Sequence, residues 1–471
     1  MRIQLSDHFT YKKLILFVLP SVVMMVFTSI YSVVDGLFVS IFAGEAAVNA
    51  IQYIYPLFMV FGSIGFMLGS GGSALVSKTL GEGDKDRANK YFTMLVVATA
   101  AIGILIAVLG QFVVAPVAAL LCGSSEGEIY ENCVLYGRIL LAAQPFFILQ
   151  NIFQSFFVTA EKPRLGLLAT AAAGGLNIAL DAIFVAGCGW GLLGAAVATA
   201  ASQLFGGVFP LIYFGVKNNS LLRFTKTKFY GKAFFKSCTN GSSEFFSNIS
   251  SAVVIILYNF QIRSIIGEAG VTAYTFMGYV AMVFFAIFMG YSVGCAPLMG
   301  YHYGAQNKPE MKNLFKKSLI IIAVLAVAMI AMTEGLARPL MSMFRQSAEI
   351  TDIAVHGFRI YSVIFVLCGF NIYGSSLFTS LNNGLVSALI SFLRSIVFQV
   401  TFVMVLPLVM GIDGVWCAGV FSDVASFIIT LIFVLCYRKR YGYFEVVKRR
   451  KKELPQAEEQ RDTAENFEED C

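Results

Sequence analysis

Charge is what this sequence has least of. Asp, Glu, Lys and Arg make up 13% of its 471 residues, about half of the roughly 25% usual in soluble proteins. A soluble chain of this length could not cover its surface with so few, so a cytosolic enzyme, a disordered scaffold and an ordinary nucleic-acid binder are excluded. Histidine is nearly missing. His8, His302 and His356 are the whole supply, and none falls in an H-x-x-x-x-D or H-E-x-x-H arrangement. A membrane enzyme such as an acyl- or glycosyltransferase therefore lacks a catalytic constellation. The nine cysteines are scattered singly, with no C-x-x-C pair. They read as small packing residues, without a metal site or disulfide framework. A cleavable leader is also not expected: the apolar run from Leu14 is too long, and no small-residue cleavage site follows before Asp35.

Apolar residues are abundant instead. They form 58% of the chain, with 44 Phe and 42 Gly, a composition suited to rings against lipid and to helices that approach closely. About 20 apolar residues cross the hydrocarbon core. Twelve such stretches can be marked, near 14–42, 48–76, 91–121, 134–159, 164–187, 191–216, 243–266, 271–300, 315–344, 355–380, 384–410 and 412–436. Lipid offers the backbone no water, so these are helices, and the fold class is an all-α integral membrane protein.

An even count places both termini on one side. The N-terminus, the loops after spans 2, 4, 6, 8 and 10, and the C-terminal tail hold 28 of the 34 Lys and Arg, including every Lys. The opposite loops hold Arg138, Arg263, Arg338, Arg345 and Arg359. By the positive-inside rule both termini are expected in the cytoplasm, with the chain multi-pass in the cell's inner (plasma) membrane. The net charge of +6 then reflects topology and anionic lipid, and no nucleic-acid partner is expected. In the tail, Arg449-Arg450-Lys451-Lys452 reads as a surface anchor, followed after Pro455 by an acidic end.

The sequence also repeats. At an offset of 223, Gly44-Glu45-Ala46-Ala47-Val48-Asn49-Ala50 meets Gly267-Glu268-Ala269-Gly270-Val271-Thr272-Ala273, and Gly81-Glu82-Gly83-Asp84-Lys85 meets Gly304-Ala305-Gln306-Asn307-Lys308. Later, at 220, Gly191 and Gly194 meet Gly411 and Gly414. The reading is two homologous six-helix bundles: an N-terminal lobe over 1–216, a connector over 217–240, a C-terminal lobe over 241–437 and a tail over 438–471. Six being even, the copies share one orientation, a transporter architecture with substrate between the halves.

Ionisable residues inside the bilayer are functional candidates by default. Four carboxylates fall within the spans: Asp35, Asp181, Glu244 and Asp423. Glu244, near the start of span 7, reads as reaching the interface in a structural role. Asp423 has only Ser422 and Ser426 as obvious company, and Arg394 is expected to snorkel or pair internally. Asp35 and Asp181 differ, because each ends a polar stripe at helical spacing. Thr28, Tyr31, Ser32 and Asp35 share one face; Thr170, Gly174, Asn177 and Asp181 share another. Gln150 and Gln154 lie on span 4 and Thr199 on span 6. Such faces should converge on a wet pocket in the first half. A carboxylate there can take a proton on one side and release it on the other, or bind Na⁺ with amide and hydroxyl oxygens. The empty site would attract an organic cation, with Asp35, Tyr31 and Gln150 receiving it. The second half lacks these acids: Asp35 meets Tyr258 and Asp181 meets Thr401.

The doubled plan, Pro20 followed by Val34-Asp35-Gly36, and Asn177-Ile178-Ala179-Leu180-Asp181 leading to Gly191-Leu192-Leu193-Gly194-Ala195-Ala196 resemble the multidrug and toxic compound extrusion (MATE) family over roughly residues 10–440. The resemblance implies drug export in exchange for H⁺ or Na⁺ by two lobes forming a V. It implies a cation site on Asp35, Asn177, Asp181 and Thr199, with Gln154 at a further position, and Pro20 as the residue at which helix 1 bends. It places Asn371 where another branch of the family has an acid. No cofactor beyond the coupling ion is implied. Small-molecule drugs and the bilayer are the expected partners, and the chain is expected to act as a monomer. The alternative is a lipid-linked oligosaccharide flippase of the same superfold, which would need cationic residues in its central cavity for pyrophosphate.

Overall fold

The computed structural model describes residues 3–343 and 347–442; Arg345 and the basic-then-acidic tail with Cys471 lie outside the described residues. The described residues are helical nearly throughout. α1 (Tyr11–Phe42), α2 (Glu45–Gly81), α3 (Lys85–Cys122), α4 (Glu128–Thr159), α5 (Pro163–Asp181) and α6 (Gly191–Gly215) form the first lobe. α7 (Gly231–Gly304), α8 (Lys308–Ser342), α9 (Ala348–Ser362), α10 (Phe365–Ser380), α11 (Gly384–Phe392), α12 (Gln399–Val405), α13 (Pro407–Met410) and α14 (Ile412–Tyr441) form the second.

Twelve crossings follow from these elements. α7 has 74 residues, about 110 Å at 1.5 Å per residue, far more than one bilayer. Gly267 breaks it with φ 73° and ψ −159°, a conformation open to glycine, so its two arms are separate spans. α9 and α10 meet at a 51° bend and act as one broken span. α11, a π-helical turn over Leu393–Phe398, α12 and α13 together make another. α1 runs unbroken through the buried Pro20. Large apolar side chains cover the exterior: Leu408 and Val409 are 83% and 82% exposed, as lipid-facing residues should be.

The repeat is written in the backbone. Left-handed φ values recur at Gly44 and Gly267, Gly83 and Gln306, Glu161 and Asn382, and Gly191 and Gly411. N-caps recur as well: Asp84 accepts from the Arg87 N–H, and Asn307 from the Glu310 N–H. One boundary differs from the sequence reading. α7 begins at Gly231, within the polar stretch assigned to the connector, because helix continues into the basic interface where hydropathy no longer marks it.

The lobes meet at the end that carries the N-terminal segment, the end of α14 and the described lysines, here called the basic face. Four glycines set that seam. A Cβ on Gly71 would strike the Ser237 carbonyl, on Gly241 the Met67 carbonyl, on Gly81 the Tyr301 carbonyl and on Gly304 the Lys78 carbonyl. Asn382 adds a bond from its Nδ2 to the Ala74 carbonyl at 3.1 Å. One apolar core runs across both lobes here and continues through the second lobe to Phe358 and Trp416. A second, around Ile54, Val114 and Leu141, belongs to the far half of the N-terminal lobe alone.

The N-terminal segment fastens the seam. Leu5 and Phe9 are fully buried. The Leu5 N–H donates to Glu161 Oε1 at 2.8 Å, in the first lobe, and the Phe9 N–H to Glu310 Oε1 at 2.9 Å, in the second. Asn313 Nδ2 donates to the same Glu310 oxygen at 2.7 Å, and His8 Nδ1 lies 2.6 Å from Oε2. Glu310→Ala would leave the Phe9 N–H buried without its acceptor, a loss of about 1–3 kcal/mol. The expected result is a lower melting temperature in detergent and faster proteolytic clipping before Tyr11, with Glu310→Gln nearer wild type.

Candidate functional site

The first-lobe site is assembled from α1 and α5, which run side by side. Gly174 permits the approach, since a Cβ there would lie 2.6 Å from Phe27 and 2.8 Å from Tyr31. Further along both helices, the Asp35 carboxyl lies beside the Asp181 carboxyl and the Asn177 amide. Asp181 and Asn177 are buried, and Asp35 is half-buried. Asp35 Oδ1, both Asp181 oxygens and Asn177 Nδ2 are shut from solvent without a hydrogen-bond partner. Two acids with unused oxygens and, among the described residues, no base beside them require a positive charge, because unpaired buried carboxylates cost several kcal/mol. A shared proton, Na⁺ or a substrate ammonium each meets that need. A π-helical turn, Ala182–Gly187, begins directly after Asp181; such turns often mark functional positions in helices.

Tyr31 stands next to both Asp35 and Gln150. Gln150 and Gln154 line a small pocket with Thr170, Gly206 and Pro210. Thr170 precedes Asp181 by eleven residues on α5, about 16 Å of helix. Gln154, on α4, thus shares a lining with Thr170 rather than with the aspartates. Thr199 Oγ1 is buried, and no hydrogen bond joins it to the aspartates.

The second lobe holds a cluster that the sequence did not join. Arg394 Nε donates to Asp423 Oδ1 at 2.6 Å, and Asn371 Nδ2 donates to the same oxygen at 3.0 Å and to the Asp423 carbonyl at 2.9 Å. Arg394 thus pairs internally, and Asp423 has a base for company besides its serines. A mid-span base and a mid-span acid in one lobe were the available signal. This site carries its own cation, so it stands neutral where the first-lobe site does not. Tyr258, the counterpart of Asp35, stacks on Tyr274 at 5.1 Å and accepts from Gln399 Nε2 at 2.9 Å.

Glu244 has surroundings that its sequence position did not show. It sits thirteen residues into α7 and faces a pocket lined from both lobes.

Comparison with known proteins agrees with this architecture. The MatE family model matches residues 20–183 and 244–405. The chain is 24% identical over 428 residues to the multidrug export protein MepA of Staphylococcus haemolyticus, covering 90% of this chain and 93% of that protein. It is 22% identical over 436 residues to MepA of Staphylococcus aureus strain MW2, covering 91% and 94%. Among solved structures, a MATE protein in complex with MaL6 superposes with a TM-score of 0.87 at 22% identity, over 92% of this chain and 98% of that one. An outward-facing MATE family transporter of the MOP superfamily gives 0.84 at 23% identity, over 92% and 97%. With two family-model matches in repeat-related positions and twelve crossings in two like lobes among the described residues, the chain belongs to the multidrug and toxic compound extrusion (MatE) family of transporters.

Proposed function

We propose that the protein exports amphipathic organic cations across the plasma membrane in exchange for H⁺ or Na⁺. The observation that carries this reading is the Asp35–Asp181 pair, two acids on neighbouring helices with orphaned oxygens and no base. Ion and substrate compete for it. Either one supplies the missing charge, and loading by one releases the other, which is sufficient for antiport. Asn177 supplies a neutral oxygen beside the pair, and Thr199 has an unused hydroxyl on the next span. Tyr31 and Gln150 receive the substrate's apolar body beside Asp35.

Both termini lie in the cytoplasm on this reading, so the glycine seam closes the inner side and the first-lobe site faces outward. Each chain works as a monomer, because each lobe pair contains a complete site. The export names of the MepA relatives support the direction of transport. A flippase for lipid-linked pyrophosphates fits less well: Arg394, the mid-span base such a substrate would seek, is already neutralised by Asp423.

The test is uptake and release of a fluorescent organic cation by proteoliposomes, with proton and sodium gradients imposed separately. Export driven by either gradient supports the reading. Movement that ignores both, or that requires a lipid-linked sugar, overturns it.

A further inference from the structure

The pocket around Glu244 lies where the two lobes touch. Ser70 and Ser73 on α2 and Ser155 on α4 line it from the first lobe; Glu244 and Ser292 on α7 and Ser376 on α10 line it from the second, with aliphatic and Met side chains filling the rest. Its walls are related by the repeat. Ser70 and Ser73 correspond to Val293 and Ala296 at the 223 offset. Ser155 corresponds to Ser376 at 221, the offset that also pairs Glu161 with Asn382. The pocket therefore sits on the pseudo-two-fold axis, the place from which a substrate is reached from either side as the lobes rock. The carboxylate belongs to one half only, since Glu244 corresponds to Ser21.

Two observations indicate a ligand. No hydrogen bond or ion pair reaches the Glu244 carboxylate among the described residues. Ser292, 4% exposed, lines the same pocket with an Oγ that is buried and partnerless. The lining also sets the chemistry. Quaternary ammonium groups, which cannot donate hydrogen bonds, are held by aromatic faces, and this lining has none. A carboxylate among hydroxyls suits a cation that donates several N–H bonds, as amidinium and guanidinium do to carboxylates. At the Asp35 site, by contrast, Tyr31 is a neighbour and Phe27 lies within 6 Å of Tyr31, so either kind of cation is accommodated.

We propose that Glu244 and its surrounding serines form a second cation-recognition site on the inter-lobe axis, selective for organic cations bearing N–H donors. It rests on the export reading for its biological use but not for its test. Binding of benzamidinium and of benzyltrimethylammonium, which share a ring and a charge and differ in N–H donors, is measured by calorimetry on the purified full-length protein. Neither measurement depends on transport. Glu244→Gln is expected to weaken benzamidinium at the axis site by roughly tenfold or more, while benzyltrimethylammonium changes by less than about twofold. Asp35→Asn weakens both. Equal loss of the two cations in Glu244→Gln, or no loss of either, overturns the proposal. Should Glu244→Gln not fold, Ser155→Cys, half-buried in the same lining, in a background without the native cysteines provides the same decision. Benzamidinium must slow its reaction with a thiol reagent while benzyltrimethylammonium does not; equal protection, or none by either, contradicts the site. Wild-type protein that binds benzamidinium at Glu244 yet moves neither cation would count against the export reading alone.

Discussion

Asp35→Asn is expected to raise the steady-state accumulation of a cationic dye in expressing cells to that of cells without the transporter, at unchanged membrane abundance. The substitution keeps the shape of the side chain and removes its charge. Asp35 Oδ1 has no hydrogen-bond partner among the described residues, so folding does not depend on a bond that the amide would break. What is lost is half of the charge that ion and substrate share. A charged hydrogen bond contributes about 1.5–3 kcal/mol, and in a poorly hydrated pocket the Coulomb attraction adds to it. Affinity for a cation should therefore fall by at least roughly tenfold to a hundredfold. Coupling fails further, because one remaining acid cannot hold and exchange two cations in turn. Asp181→Asn should fall almost as far. Retained efflux at equal abundance would remove Asp35 from the mechanism.

Gly241→Val is the second large effect, and it acts on the conformational equilibrium. At Gly241 the α7 backbone rests on the Met67 carbonyl of α2, and neither main chain can yield locally. Any Cβ must push the lobes apart at the basic face. Overpacking of this kind costs about 1–3 kcal/mol, and the cost falls only on the state in which the seam is closed. A shift of that size changes the ratio of the two states by roughly 5- to 150-fold. Ser73→Cys, introduced in a background without the native cysteines, reports the change: its labelling from the basic face should rise sharply in Gly241→Val and stay slow with Gly241 intact. Export should fall in parallel, since the closed seam is one half of the cycle. Unchanged labelling would show that the crossing is not the gate.

Spans and repeat were legible because each rests on a local signal. Twenty apolar residues are a property of one segment, and the left-handed positions Gly44 and Gly267 fall in matching words of sequence. The convergence of Asp35 with Asn177 and Asp181 could be read from two helical stripes, because parallel neighbouring helices bring equivalent heights together. The remainder depended on relations that no single segment carries. Asn371, Arg394 and Asp423 lie on three different spans, so their union needed the packing of the second lobe. Gln154 shares a stripe with Gln150, and its place in a lining with Thr170 needed the packing of α4 against α5 and α6. Glu244 read as interfacial because the first turns of α7 are polar, and its place in a lining shared by both lobes needed the packing of α2, α4 and α10 against α7. Leu5 and Phe9 belong to a short segment before α1 whose burial depends on both lobes at once.

The central claim is that one charge-deficient pocket at Asp35 and Asp181 is shared in turn by the coupling ion and the exported cation. Equilibrium binding of a fluorescent organic cation to the purified protein tests it most directly, with Na⁺ titrated at fixed pH and pH titrated without Na⁺. The account predicts that at least one of the two ions displaces the dye competitively from wild-type protein, and that the displacement disappears in Asp35→Asn. Dye affinity that is indifferent to both ions, or displacement that survives in Asp35→Asn, would contradict it.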